Sequence, residues 1–245
     1  MIVIQFYFNS FIGKHENADF FFNLLEKEGL TPDKMGLTEP LKRLYERKKA
    51  IELWTKAEQG NGRMVGGMMG KKKNPSYSFI MDWNKGEKYI SPNWLTIFVP
   101  KGVFKRFKQI FLNIFFQIQV EFDVLYGYIS SEESENRQFV PGTLETRLPG
   151  VFWCNYFSKT YVDFFGEDRL INGPWINKDV LPNGAIVTYL SDQPTDLIND
   201  MQIEEIAKKH LGEDSFGDRD YYIKNLDVVQ MKNVPKIELK ELRIS

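Results

Sequence analysis

Apolar side chains recur along this chain at two spacings, and each spacing predicts a different element. Ile2 to Phe8 alternates loosely and is rich in β-branched and aromatic residues, which predicts a strand. Phe20, Phe21, Leu24 and Leu25 then share one helical face; Asn17 or Asp19 can cap that helix and Gly29 stops it after Glu28. A longer helix is predicted from Glu39 to Glu58. Leu41, Leu44, Tyr45, Ile51 and Trp54 form its apolar stripe, with Lys42, Arg43, Arg47, Lys48 and Lys49 on the wet side. Met64 to Gly70 and Tyr77 to Trp83 read as two strands around the turn Lys71-Lys72-Lys73-Asn74-Pro75, and Asn93 to Val99 as another. Phe104, Phe107, Phe111, Ile114, Phe115 and Ile118 return to helical spacing. Phe122 to Ser130 reads as a strand and Ser131 to Arg137 as a charged loop.

The densest aromatic stretch follows, Arg147 to Leu170. Val151 to Asn155 reads as a short buried strand. Ser158 is placed to cap a helix over Thr160 to Phe165, with Tyr161, Phe164 and Phe165 turned inward and Gly166 as its stop. Trp153, Tyr156 and Phe164 are expected in the core. Ala185 to Leu190 reads as the last central strand. Met201 to Leu211 reads as an amphipathic helix ended by Gly212; it should bury Ile203, Ile206, Ala207 and Leu211 and turn Glu204 and Glu205 outward. The tail, 221–245, is broken by Pro235 and reads as an arm or one edge strand. Strands and helices come in mixed order, without strict βαβ alternation. The fold class is therefore α+β: a mixed, mainly antiparallel sheet with helices packed on it, in a single large domain over 1–245.

Composition narrows the class further. Hydrophobic residues at 42% and aromatics at 15% can fill a core. A net charge of -1 gives no global pull toward nucleic acid. One cysteine, Cys154, excludes an intramolecular disulfide, and its apolar neighbours mark it as a buried thiol. The N-terminus has no basic leader region. The longest apolar run, Val103 to Val120, carries Lys105, Arg106, Lys108 and Asn113, so no membrane insertion is expected and a cytoplasmic location is.

Chemistry is sparse. Gln59 to Lys73 imitates a phosphate loop, but Gly66 to Lys72 is one residue too short, and Lys72 stands where Ser or Thr must reach magnesium. His15 and His210 have no partner at ligand spacing, and no glycine-flanked serine elbow is present. No catalytic residue, metal or cofactor is assigned. The marked asymmetry is acidic: Asp192, Asp196, Asp200, Glu204, Glu205, Glu213, Asp214, Asp218 and Asp220 crowd one region, whereas basic residues crowd between Lys42 and Lys73. Such a patch can steer a basic protein partner or imitate phosphates for it. Glu132, Glu133, Glu135, Glu204, Glu205, Asp214 and Asp218 are the candidate partner-binding residues.

The pattern from Leu148 to Leu170, LPGVFWCNYFSKTYVDFFGEDRL, resembles a block found in bacterial immunity proteins of polymorphic and type VI toxin systems, including the immunity protein 52 type. The matching positions are Leu148, Pro149, Gly150, Val151, Trp153, Asn155, Tyr156, Tyr161, Val162, Gly166, Arg169 and Leu170. The resemblance implies a cytoplasmic α+β domain that binds a cognate toxin protein and blocks it without chemistry. Two other readings stay open: an enzyme of unrecognised type with an aromatic-lined pocket near Trp153 and Tyr156, and a self-associating structural domain.

Overall fold

The N-terminal alternation is strand β1 (Ile2–Phe8), with six of its seven residues buried. The computed structural model describes residues 1–87, 90–198, 201–226 and 228–244, and the chain packs as two units. One holds Met1, 3–124 and 238–245; the other holds Ile2 and 125–237. The class is α+β, with helices on mainly antiparallel strands.

In the first unit, helix α1 (His15–Lys27) buries Phe21, Phe22, Leu24 and Leu25, so Phe22 takes the inward place expected for Phe20. Short strands β2 (Lys34–Gly36) and β3 (Arg43–Leu44) follow. Helix α2 is only Arg47–Thr55, eight residues later in starting than the stripe predicts. The residues before it are taken up by pairing with the β2 region: Arg43 and Leu44 lie opposite Met35 and Lys34, and Tyr45 N donates to the Asp33 carbonyl at 3.1 Å. Leu41 is buried at 3% exposure, but Leu44 lies on β3 at 75%. Strands β4 (Glu58–Gly60), β5 (Arg63–Lys73), β6 (Ser76–Gly86) and β7 (Asn93–Val99) complete the unit's sheet, in the order β1-β7-β6-β5-β2-β3 with β4 on β5.

The β5–β6 hairpin is longer than its pattern suggests. Lys71, Lys72 and Lys73 are in the ladder, and only Asn74-Pro75 turns. One face of β6, carrying Tyr77, Phe79, Met81 and Trp83, is buried. It meets α1 and α2 through Phe21 against Phe79 at 5.1 Å, and Trp83 Nε1 donates to the Trp54 carbonyl at 2.6 Å. The glycines of β5 make this possible: a Cβ on Gly66 would overlap the Trp83 ring, and one on Gly70 the Phe79 ring. The predicted aromatic helix is two, α3 (Lys101–Arg106) and α4 (Lys108–Glu121), broken at Phe107.

In the second unit, strand β8 (Val124–Ser131) is buried throughout. The expected charged loop is helix α5 (Glu132–Gln138). Ser131 caps it by accepting from Ser134 N at 3.2 Å, and Glu132, Glu133 and Glu135 sit in its first turn. Strand β9 is Cys154–Phe157, three residues beyond the expected start. Side chains hold the preceding residues in place of a ladder: Gln138 brackets both backbone groups of Val151, and Asn155 both of Phe152. Helix α6 (Lys159–Phe165) buries Tyr161, Val162 and Phe165, leaving Phe164 only half-buried, and Ser158 precedes it without a capping bond. Gly166, at φ +90°, ends it.

Helix α7 (Glu167–Ile171), strands β10 (Asn177–Val180) and β11 (Ile186–Tyr189), and helices α8 (Gln202–Leu211) and α9 (Arg219–Lys224) complete this unit. Its strands run β10-β11-β9-β8, antiparallel throughout. Residues 228–237 run as an arm with no strand. Residues 238–244 belong to the first unit, where Arg243 bridges Gly86 in parallel. No helix among the described residues is long and apolar enough to cross a membrane.

Candidate functional site

The acidic candidates divide when placed in the second unit. Helix α8 is rotated from its expected setting. Glu204 is buried at 1% exposure and Ile206 is 50% exposed, while Ala207 and Leu211 face inward as predicted. Arg137 on α5 explains the reversal. Its Nη2 and Nε donate to Glu204 Oε2 at 2.8 and 3.2 Å, and Ser134 Oγ donates to Oε1. Burial pushes the Glu204 carboxyl above the usual carboxylate range, and these donors pull it back only in part. Glu135 is half-buried and accepts from Tyr128 OH at 2.6 Å; burial raises it too. Glu204 is thus a structural residue that ties α5 to α8.

Glu132, Glu133, Glu205, Asp214 and Asp218 are exposed. Asp218 caps α9 by accepting from Tyr221 N at 2.9 Å, and Asp214 accepts from Asn233 at 3.3 Å. Asp200 lies outside the described residues. Beside Asp214 and Asp218 runs an exposed apolar strip. Tyr221, Ile223, Leu226, Val228, Val229 and Met231 are all exposed, by 45–73%. Helix α9 buries none of its residues. Gln230 holds the segment in place, exchanging two 2.7 Å hydrogen bonds with the Asp218 backbone, so Val229 and Met231 on either side of it project outward. The available signal is seven large apolar residues within eleven, Tyr221 to Met231.

The first unit carries a cleft of about 600 Å³ on the half-exposed face of β5 and β6. Val65, Gly67 and Met69 of β5, Ile80 and Asp82 of β6 and Trp94 of β7 line it, with Leu37, Thr38, Lys56 and Glu58 among its other walls. Burial raises the Asp82 carboxyl and the charge of Arg63 works against that rise. Clefts of this size, mostly apolar with a few polar groups, suit small ligands or single side chains.

Trp153 and Tyr156 are both buried and enter packing: Trp153 donates to the Ser191 carbonyl at 2.7 Å and stands edge-on to Tyr189. Cys154 is buried and free of disulfide. The polar residues of the Leu148–Leu170 block also serve the fold. Asn155 clamps Phe152, and Arg169 reaches the Leu211 carbonyl at 3.2 Å.

No protein-family model matches the chain, and no curated protein does. Among solved structures, the Pseudomonas aeruginosa T6SS protein PA0821 is similar to it, with a TM-score of 0.54 at 12% identity, over 100% of this chain and 82% of that one. At that identity the likeness is one of fold.

Proposed function

We propose that this chain is a non-enzymatic immunity protein that acts in the cytoplasm by binding a cognate toxin protein and occluding it. The observation that carries this reading is the exposed apolar strip from Tyr221 to Met231, set beside exposed Asp214 and Asp218. Apolar groups in solvent with a polar rim are the anatomy of a protein interface. The apolar side chains supply the anchor, and the acids orient an oppositely charged surface on approach. Two further points support it: the resemblance of the Leu148–Leu170 block to type VI and polymorphic-toxin immunity proteins, and a fold neighbour that is a type VI secretion system protein. Neutralisation by occlusion needs no bond to be made or broken, so the same surface accounts for the whole activity.

The test is protection. Cells expressing the toxin domain encoded beside this chain should survive only when the chain is co-expressed. Ile223→Asp, Val229→Asp and Met231→Asp together should abolish that protection while leaving the melting temperature unchanged, since none of the three is buried. Full protection by the triple variant removes this strip from the interface.

A further inference from the structure

The cleft of the first unit has its own chemistry. Gly67, Asp82 and Trp94 stand directly opposite one another on β5, β6 and β7. Side chains opposed in this way share a face of the sheet and lie within about 5 Å of each other. The carboxylate therefore has an indole on one side and, on the other, Gly67, which has no side chain and packs so closely that a Cβ there would meet the Met81 carbonyl oxygen at 2.5 Å. Val65, Met69 and Ile80 make the adjoining walls apolar.

Asp82 is half-buried, yet its carboxylate makes neither a hydrogen bond nor an ion pair to another described residue. Arg63, the cation close enough to influence it, does not bond it, and the buried Arg63 Nε has no hydrogen-bond partner. The Asp82 oxygens still reach solvent, so a donor on an incoming group can take the place of water there. We propose that this cleft is a binding site for the guanidinium group of an arginine side chain presented by a protein partner. The planar fork of a guanidinium pairs with a carboxylate through two hydrogen bonds, stacks on an indole face, and is carried on an apolar stem. Asp82, Trp94 and the Met69–Ile80 wall match those three parts in turn. Lys56 and Arg63 oppose an incoming cation and Glu58 favours it; the like charge of Arg63 weakens the site. Naming the partner as a toxin rests on the function proposed above; the chemistry of the cleft does not.

The site is tested with a small probe. N-acetyl-argininamide is titrated into the full chain while the indole N–H resonance of Trp94, assigned by its loss in Trp94→Phe, is followed by NMR. A saturable shift is expected. The citrulline analogue, which has the same shape without the charge, should bind at least about tenfold more weakly. Asp82→Asn should abolish the shift, and Arg63→Gln should tighten binding. Binding needs the ionised carboxylate, so affinity should fall on acidification through the raised pKa of Asp82. An equal response to the citrulline analogue, or an undiminished one in Asp82→Asn, overturns the proposal. If Asp82→Asn fails to give a folded spectrum, the Arg63→Gln titration decides, and no gain in affinity there counts against the site. Because the probe is not a toxin, argininamide binding without cellular protection would separate failure of the toxin reading from failure of the cleft.

Discussion

At the scale of single residues, the informative side chain is Glu204. It was expected in water and lies in the interior, held by Arg137 and Ser134. Breaking such a pair from one side strands a buried charge, so Arg137→Ala should cost about 3–5 kcal/mol in urea unfolding, and Glu204→Gln clearly less. The pH dependence has a definite sign. Folding raises this carboxyl's pKa, so the native state holds its proton more tightly than the unfolded chain does. Its contribution to stability therefore declines as pH climbs from the ordinary carboxylate value through the raised one. Losing Arg137 raises the group further and should steepen the fall of melting temperature with pH above about pH 4. Trp153 and Phe164 part company in the same way. Trp153→Ala should cost about 3–5 kcal/mol, whereas half-buried Phe164→Ala should cost about 1 kcal/mol; parallel denaturation curves check the gap.

At the scale of elements, the sequence was legible wherever local spacing decides. β7 falls on Asn93–Val99 as read, and α8 and its Gly212 stop are in place. It was not legible where a distant partner decides. Which face of α8 turns inward depends on Arg137, 67 residues earlier, and no periodicity records that. Of the seven candidate acids five are exposed, and the spacing of the apolar strip beside them does not say whether another element covers it. Strand β10 was missed because all four of its residues are exposed and three are polar, so it carries no alternation. Helix α5 could have been read: Ser131 before three glutamates is an N-cap with charges that suit the helix dipole. For the β5–β6 hairpin, Gly66→Ala and Gly70→Ala should each cost about 1–3 kcal/mol, because a methyl there meets an aromatic ring. Calorimetry with ATP and magnesium should show no binding to this stretch; micromolar affinity lost in Lys71→Ala would revive the phosphate-loop reading.

At the scale of the whole molecule, the two units carry separate surfaces: the apolar strip with its acids in one, the Asp82 cleft in the other. The chain leaves the first unit after 124 and re-enters it at 238. There Leu239 and Leu242 are buried, Glu241 accepts from Phe11 N at 3.3 Å, and Ile244 N donates to the Gly86 carbonyl at 3.1 Å. Leu242→Ala should cost about 2–5 kcal/mol, and hydrogen exchange should quicken at Phe11 and Ile244. This return strap has a consequence for synthesis. A ribosome adds about 5–20 residues each second, so the stretch from 125 to 237 keeps the first unit waiting on the order of ten seconds for its closing segment. During that interval Gly86 lacks its Ile244 donor and the seats of both leucines stand open. The nascent first unit is sealed only once residues 238–244 have cleared the exit tunnel.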